Sequence, residues 1–282
     1  MDIVLATCAK QPDLTPSDSL LAEALAARGA RVQARPWDQI TGGDVVVLRS
    51  TWDYHRRIGE FREWLERIAA VSRLVNPLET VRWNLDKQYL RELEQKGIPM
   101  PRARWFEPGE QPYLSDVLKA NGWERAVLKP RISATAYGTH LIKPGVLLMG
   151  NDWSQSLATG GLIQEFVPEV QTAGEVSLVY FGGAFSHAVR KRTASGDYRV
   201  QLEFGGSAEA FEATPAMMAF GLSVLAAAAR PWVYARVDVV ETAAGLLLME
   251  LELIEPELFL HLSPEGAERL AKALLDHQST RQ

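Results

Sequence analysis

Residues 233–253 read VYARVDVVETAAGLLLMELEL and contain two apolar runs that a short glycine-containing turn joins. Side chains alternate between the two faces of a strand, so Arg236 and Asp238 lie on one face of the first run. Glu250 and Glu252 likewise share one face of the second run. The stretch therefore predicts two adjacent strands that hold three carboxylates and one guanidinium in apolar surroundings.

These four charged side chains need counter-charges, because unpaired charge is expensive to bury. Carboxylate oxygens without cysteine or histidine suit Mg²⁺, which keeps several waters and binds substrate phosphates. The same spacing also fits an edge hairpin with one solvated face and ordinary Arg–Glu pairs, and it leaves both interpretations open. Asp238, Glu250 and Glu252 are accordingly candidate metal ligands.

The rest of the second half contains further strand-like runs that are separated only by turns. These runs are Ala126–Lys129, Leu162–Phe166, Val176–Phe181 and Ala184–Arg192. A Gly-Gly pair between the last two is typical of a hairpin turn. Helical patterns are confined to Pro215–Ala229 and Pro264–His277. Consecutive strands with segregated helices predict an α+β fold for this half.

The first half alternates between strands and helices. The strand-like runs are Ile3–Thr7, Arg31–Arg35 and Val45–Arg49. The helical patterns are Ser17–Arg28 and Phe61–Val71. This β-α-β-β-α order predicts an α/β domain with a parallel sheet.

A further helix at Asp86–Lys96 is followed by the sequence GIPMP at residues 97–101, which indicates a domain boundary. We therefore divide the chain into an N-terminal α/β domain at 1–98 and two later subdomains. The central subdomain covers 99–168, and the C-terminal subdomain covers 169–282.

Composition excludes several classes of protein. The chain has 282 residues with a net charge of −5, which disfavours binding to nucleic acid or to an anionic membrane surface. The single cysteine, Cys8, excludes an internal disulfide framework. No apolar run approaches the roughly 20 residues that cross a bilayer, and the first residues lack a signal-peptide pattern. We expect a cytoplasmic protein.

Familiar nucleotide-binding and hydrolase motifs are absent. The sequence has no P-loop, and no Gly-x-Gly-x-x-Gly follows the first strand. It also has no His-Glu-x-x-His metal motif and no Gly-x-Ser-x-Gly nucleophile elbow. Any phosphate must therefore be bound by another device.

A second signal is Lys129, which ends an apolar strand and precedes the small, hydroxyl-bearing loop RISATAYGT at 131–139. Backbone amides and hydroxyls of such a loop can fold over phosphates, while a lysine neutralises them. An ordinary surface loop is the alternative. A third signal is LIQEFVPE at 162–169, where backbone groups and apolar walls could recognise a base, with Glu175 placed to hold ribose hydroxyls.

Together these segments resemble the ATP-grasp ligases over roughly residues 77–260. The matching elements in chain order are Lys87, Lys129-Pro130, Gln164-Glu165-Phe166-Val167, Gly174-Glu175, Arg236-Val237-Asp238 and Glu250-Leu251-Glu252. The nearest branches are the glutathione-synthetase-like and ribosomal-modification-type ligases, including the cyclo-ligases of cycloserine biosynthesis. LRSTWDY at 48–54 and LIEP at 253–256 are similar to that last group.

The resemblance implies that ATP lies between two antiparallel sheets, with a role for each matching residue. The implied nucleotide-binding residues are Lys87 and Lys129 for the phosphates, Ser133, Thr135 and Gly138 for the phosphate lid, Glu165, Phe166 and Val167 for adenine, and Glu175 for the ribose. Asp238, Glu250 and Glu252 would hold Mg²⁺, usually two ions, with Mn²⁺ as a substitute. Arg236 would steady the transferring phosphoryl group. Glu252 departs from many relatives, which have Asn there.

The family's chemistry activates a carboxylate as an acylphosphate, which an amine then attacks. A protein nucleophile is not required, which agrees with the missing motifs. The alternatives are a kinase of the same fold and a non-catalytic nucleotide-binding module. We expect Arg49, Asp53 and Arg199 to contact a small amino-acid-like substrate, and Lys191 to bind the γ-phosphate or an anionic substrate. Homodimers are common in this family.

Overall fold

The computed structural model describes residues 1–110, 112–145, 158–194, 197, 199–200 and 205–276. These residues form three sheets, of which the first is parallel. Its strands are β1 (Asp2–Thr7), β2 (Arg31–Pro36), β3 (Val45–Leu48) and β4 (Arg73–Val75). They pair in the order β2-β1-β3-β4. The predicted N-terminal α/β architecture is confirmed.

Two helices, α1 (Pro16–Ala27) and α2 (Ile58–Val71), connect strands of this sheet. The side chain of Thr15 caps α1 by accepting a hydrogen bond from the backbone N–H of Asp18, and a proline opens the helix where no N–H is needed. The helical pattern of α2 buries one face. Its buried side chains are Phe61, Trp64, Leu65 and Ile68.

The second sheet is antiparallel and follows two more helices, α3 (Leu78–Asn84) and α4 (Gln88–Gln95). Its strands are β5 (Ala103–Phe106), β6 (Ala126–Pro130), β7 (His140–Ile142) and β8 (Gly161–Glu165). They pair in the order β5-β8-β6-β7. Helix α5 (Leu114–Asn121) covers this sheet and shares a small apolar core with it.

The third sheet is also antiparallel. Its strands are β9 (Glu175–Phe181), β10 (Ala184–Arg192), β11 (Ser207–Phe211), β12 (Tyr234–Thr242) and β13 (Gly245–Glu252). They pair in the order β11-β10-β9-β12-β13. Helices α6 (Glu169–Thr172), α7 (Pro215–Ala228) and α8 (Gly266–Asp276) belong to this part of the chain. The predicted α+β second half is confirmed.

Short 3-10 helices complete the described structure. They span Trp37–Gln39, Tyr54–Arg57 and Leu260–Leu262. The sequence analysis missed several short elements, namely β4, α3, β5, α5, β7, α6 and β11. Most of these have three to eight residues, too few for hydrophobic periodicity to stand out. The predicted end of the last helix at His277 lies outside the described residues.

The cores of the sheets overlap across the predicted domain division. Leu5 of β1 and Phe181 of β9 belong to one buried apolar cluster, so the first and third sheets share a core. Leu90 and Leu93 of α4 join the core of the third sheet, although the sequence-based division places α4 in the first domain. The division at residues 98 and 168 stays a prediction.

Asn76 joins the first domain to the third sheet through its side chain. Its Nδ2 donates to the backbone oxygens of Tyr234 and Leu253, both at 2.8 Å. Its Oδ1 accepts from the backbone N–H of Val233 at 2.6 Å. The hydroxyl of Tyr234 lies 2.7 Å from the backbone oxygen of Ile254 and 3.0 Å from that of Leu48. This buried polar network fixes the orientation of β12 relative to the first sheet.

None of the helices in the described parts of the chain is long and apolar enough to cross a membrane.

Asn76→Ala should lower the free energy of unfolding by about 3–5 kcal/mol, since it leaves several buried backbone groups without partners. The measurement is denaturant unfolding followed by tryptophan fluorescence. Asn121→Ala is the matched control, because Asn121 is exposed and bonds only within its own helix. A loss at position 76 no larger than the control's would contradict this role.

Candidate active site

A cavity of about 600 Å³ is lined by residues of both antiparallel sheets and of the first domain. Strands β6 and β8 supply Lys129 and Glu165, and β12 and β13 supply Asp238 and Glu250 from the other side. The first domain supplies Ser17, at the start of α1, among other residues. Most of the residues that the sequence analysis selected therefore meet at one cavity.

The hairpin of β12 and β13 forms the charged wall of this cavity. Arg236 lies directly opposite Glu252, and Asp238 lies directly opposite Glu250. Opposite residues of an antiparallel pair point to the same face, so all four side chains face the same way. The predicted shared face of these two strands is therefore present.

Asp238 is the most buried member of this group, with 2% of its surface exposed. It accepts hydrogen bonds from the Ser177 hydroxyl at 2.6 Å and from Lys191 Nζ at 3.0 Å, and Arg236 Nη2 donates at 2.9 Å. Burial opposes the charged carboxylate, but the two cations outweigh it and lower the pKa of Asp238. Asp238 is thus ionised at neutral pH.

Arg236 is held in place from three directions. Its guanidinium donates to Asp238, to the carboxylate of Glu252 and to the backbone oxygen of Glu257. Burial and the neighbouring carboxylates Glu250 and Asp238 raise the pKa of Glu252, although Arg236 opposes this shift. The raised pKa shows that the acids lie close together, so an additional cation would stabilise their charged forms.

Three lysines extend into the same space. Lys87 Nζ pairs with Glu250 Oε1 at 3.0 Å, and Lys191 Nζ pairs with Glu175 Oε1 at 2.5 Å. Lys129 Nζ donates to the amide oxygen of Gln164 at 2.9 Å. Burial lowers the pKa of Lys129, and within the described residues no carboxylate pairs with it. Lys129 is therefore the cation that is best able to accept a new anion.

Glu175 occupies the position predicted for a ribose contact, but its carboxylate is already paired with Lys191. Burial raises the pKa of Glu175 despite this pairing. The Glu165 carboxylate accepts two hydrogen bonds from Arg102, both at 2.9 Å. Phe166 and Val167, beside Glu165, are buried and line the cavity.

The hydroxyl-rich loop also borders the cavity. Ser133 and Thr135 line it, and the backbone oxygen of Ser133 lies 3.4 Å from Lys87 Nζ. Thr135 and Ala136 have φ values of 50° and 54°, a left-handed conformation that most residues avoid. Gly138 has a φ of 67° and does not line the cavity. The strained turn places two hydroxyl-bearing residues of the predicted lid at the cavity edge.

The predicted substrate contacts Arg49 and Asp53 need correction, because neither lines the cavity. Arg49 is 1% exposed, and its Nε donates to Asp18 Oδ1 at 2.7 Å. Asp53 accepts a hydrogen bond from Trp37 Nε1 at 2.9 Å. Arg49 also donates from Nη2 to the backbone oxygen of Pro256 at 3.0 Å, so both side chains are bound to protein groups outside the cavity lining. The third predicted contact, Arg199, does line the cavity and pairs with Asp197 at 2.9 Å.

Several cavity residues were not selected from the sequence. The Ser17 hydroxyl lies 2.6 Å from Glu257 Oε1 and 3.0 Å from His261 Nδ1. The Trp52 indole N–H donates to the backbone oxygen of Glu255 at 3.2 Å. These partners are far apart along the chain, so the sequence does not show that they meet. The only feature of the sequence that pointed to this part of the cavity was the acidic residue Glu255 within an apolar segment.

Glu255 differs from Asp238, Glu250 and Glu252, which each pair with a cation. It is 9% exposed, and among the described residues no basic side chain pairs with it. Burial, and next the nearby carboxylate of Glu252, raise the pKa of Glu255 to about 8. A carboxylate that is buried without a cation costs stability when it is charged.

The donor set was tested for its fit to Mg²⁺. Within the described ranges, no group of three acidic, histidine or cysteine side chains converges closely enough to hold a metal ion. Mg²⁺ needs fewer protein ligands, because it binds through one or two carboxylates and completes its shell with water and phosphate oxygens. Asp238 and Glu250 are adjacent hard-oxygen ligands on the cavity wall and fit this mode of binding.

Comparisons with known proteins define the class. Residues 3–76 match the family model of the D-cycloserine synthetase DcsG N-terminal domain. Residues 147–258 match the model of the RimK-like ATP-grasp domain. With the cavity between two antiparallel sheets, these matches define an ATP-grasp ligase, and the chain belongs to that family. The resemblance deduced from the sequence is confirmed.

The similarity to individual proteins extends along most of the chain. The cycloserine biosynthesis protein DcsG of Streptomyces lavendulae is 32% identical over 278 residues, which cover 91% of this chain and 92% of that protein. A crystal structure of D-cycloserine synthetase DcsG has a TM-score of 0.82 at 30% identity, covering 98% of this chain and 99% of that one. The chain is thus similar to DcsG over nearly its whole length.

More distant relatives share the architecture. A probable alpha-L-glutamate ligase of Xanthomonas campestris is 27% identical over 75% of this chain and 71% of that protein. The D-alanine–D-alanine ligase of Bacillus anthracis has a TM-score of 0.65 at 13% identity, covering 98% of this chain and 96% of that one, and shows the fold alone.

Glu255→Gln should stabilise the protein in alkaline solution. Because the pKa of Glu255 rises from 4.5 to about 8 on folding, the cost of its charge grows between those pH values and is complete above them. The variant should therefore melt about 2–6 °C higher than the wild type near pH 9, with little difference near pH 5. Thermal unfolding at both pH values measures this.

Glu241 is exposed and lies on the β12–β13 hairpin, which Glu255 follows. The substitution Glu241→Gln is therefore the control. It should leave the melting temperature unchanged at both pH values. Equal melting of the Glu255→Gln variant and the wild type near pH 9 would show that Glu255 is not a destabilising buried charge.

Proposed function

We propose that the protein is an ATP- and Mg²⁺-dependent carboxylate–amine ligase that acts through an acylphosphate on a small amino-acid-like substrate. The observation that carries this proposal is the convergence of Lys87 and Lys129 with the carboxylates Asp238 and Glu250 at one cavity. The similarity to the cycloserine biosynthesis protein DcsG favours ring closure within one substrate molecule. The family uses ATP and typically Mg²⁺.

The proposed chemistry overcomes the poor leaving group of a carboxylate. Transfer of the γ-phosphoryl group to the substrate carboxylate makes an acylphosphate, and attack by an amine forms the C–N bond and releases phosphate. Lys87, Lys129 and Arg236 offset the charge of the migrating phosphoryl group. Ser133 and Thr135 of the lid exclude water that would hydrolyse the intermediate.

The metal is assigned to the carboxylates of the β12–β13 hairpin. Bound Mg²⁺ would neutralise the triphosphate and orient it for transfer. Asp238, Glu250 and Glu252 are the proposed ligands, with Mn²⁺ as an alternative ion. The triphosphate would draw Lys87 away from Glu250, which frees that carboxylate for the ion.

The nucleotide would lie between β8 and the third sheet. The backbone at Phe166 and Val167, with Glu165, is the proposed adenine site. Glu175 is the proposed ribose ligand, and Lys191 is proposed to contact the phosphates. Gly138 remains part of the proposed lid, because its positive φ shapes the backbone of that loop. Arg199 is the remaining proposed substrate contact of the three.

We extend this proposal to the location and the partners of the protein. We propose a cytoplasmic enzyme of amino-acid metabolism that uses neither nucleic acid nor a membrane as a partner. A homodimer is compatible with this function. The three-part division of the chain is part of the same proposal.

Lys129→Met should abolish substrate-stimulated ADP release, lowering it by about 10²-fold or more, since it removes the cation that is free to meet the phosphates. The assay screens amino acids and dipeptides for ADP release and identifies products by mass. Lys119→Met, at an exposed lysine of α5, is the control and should keep full activity.

The products distinguish the candidate functions. An amide or a ring product supports the ligase. A stable phosphorylated product without a new amide would indicate a kinase. ATP binding without turnover across the whole panel would indicate a non-catalytic nucleotide-binding module.

Glu250→Gln should raise the Mg²⁺ concentration for half-maximal activity by about tenfold or more, because a neutral amide is a weaker Mg²⁺ ligand than a carboxylate. Activity is measured against Mg²⁺ concentration after chelation of endogenous metal. Glu241→Gln should show the wild-type Mg²⁺ dependence. An unchanged dependence at position 250 would contradict the metal assignment.

A further inference from the structure

Glu255 sits where the third sheet meets the first domain. It follows β13 by three residues and lines the cavity. The indole of Trp52 in the first domain holds its backbone oxygen at 3.2 Å. Its backbone is therefore fixed between the phosphate-binding wall and the first domain.

Four other acids of the cavity are paired with cations, while Glu257 instead accepts hydrogen bonds from the Ser17 hydroxyl and the backbone N–H of Phe259. Glu175 and Asp238 pair with Lys191, and Glu250 pairs with Lys87. Glu252 pairs with Arg236. Within the described parts of the chain Glu255 pairs with no cation, although it is buried, with only 9% of its surface exposed. A carboxylate buried without a cation indicates that the cation comes with the ligand.

The surroundings of Glu255 favour an ammonium group over a metal ion. Trp52 and Tyr54 line the same cavity, and aromatic faces stabilise organic cations. The proposed metal ligands Asp238 and Glu250 lie opposite each other on the β12–β13 hairpin, and Glu255 comes after that hairpin, so it is not needed to hold the ion. An amine ligand satisfies both the charge and the apolar walls.

The charged and titratable groups around Glu255 place it beside the reacting centre. Glu252 and Glu250 act on it from β13, and Lys87 acts from the segment before α4. Tyr54 of the first domain and Tyr234 of β12 also lie within its electrostatic range. A ligand held by Glu255 is therefore next to the proposed phosphoryl site.

We propose that the Glu255 carboxylate binds the nucleophilic ammonium group of the substrate and takes from it the proton whose loss frees the nitrogen lone pair. That lone pair attacks the acyl carbon and forms the C–N bond, and the second proton that the nitrogen loses passes to the departing phosphate. The bond between that carbon and the phosphate oxygen breaks, and inorganic phosphate leaves. This role rests on the proposed ligase function and makes Glu255 a catalytic residue.

The test separates amine capture from carboxylate activation. Hydroxylamine is neutral near pH 7 and attacks an acylphosphate without a protein base, so it gives a hydroxamate. The probe is the amino acid or dipeptide that gives the greatest ADP release with the wild type. Glu255→Gln should lower formation of the natural amide by about 10²-fold or more. Hydroxamate formation in excess hydroxylamine should stay within about threefold of the wild type.

The controls make each outcome informative. Glu241→Gln should resemble the wild type in both reactions. Glu255→Asp, which keeps the charge, should retain more amide formation than Glu255→Gln, and it replaces that variant if Gln prevents folding.

Two results would overturn the assignment of Glu255. Equal loss of amide and hydroxamate would mean that Glu255 serves activation or folding, and unchanged amide formation would mean that it has no role. Wild-type protein that forms neither ADP nor hydroxamate with any probe would refute the ligase function itself, and the assignment with it.

Discussion

The close packing of opposite charges on the β12–β13 wall of the cavity is the constraint on which this structure depends. The hairpin of β12 and β13 pairs Arg236 with Glu252 and places Asp238 opposite Glu250. Buried ion pairs contribute little to stability once their desolvation is counted. The arrangement is better explained by a ligand that brings an anion and its own cations. The anion would then pair with the lysines, and the cations would pair with the acids.

The placement of the first domain gives this charged wall its shape. The cavity has walls from both antiparallel sheets, and the first domain adds Ser17 of α1 and Trp52 to its lining. The buried network of Asn76 and Tyr234 ties that domain to β12, next to Arg236. A fixed distance between the phosphate-binding wall and the first domain limits the size of the substrate, which agrees with a small amino-acid-like molecule.

The sequence predicted the parts of this molecule that depend on local periodicity and strand alternation. It predicted the α/β first half, the third-sheet strands β9, β10, β12 and β13, and the shared face of Arg236 and Asp238. It missed short strands such as β5 and β7, whose three or four residues are held by sheet partners rather than by their own pattern. It also placed Arg49 at the substrate, because its position after a strand end carries no information on the buried partner Asp18. Within the described residues Glu255 lacks a cationic partner, which only the three-dimensional arrangement reveals.

The most direct test is a crystal structure with a non-hydrolysable ATP analogue and Mn²⁺, whose anomalous scattering locates the ion. The account predicts that the triphosphate lies within hydrogen-bonding distance of Lys87 and Lys129, with the ion bound by Asp238 and Glu250. An analogue bound outside this cavity, or one whose phosphates point away from the β12–β13 hairpin, would contradict it.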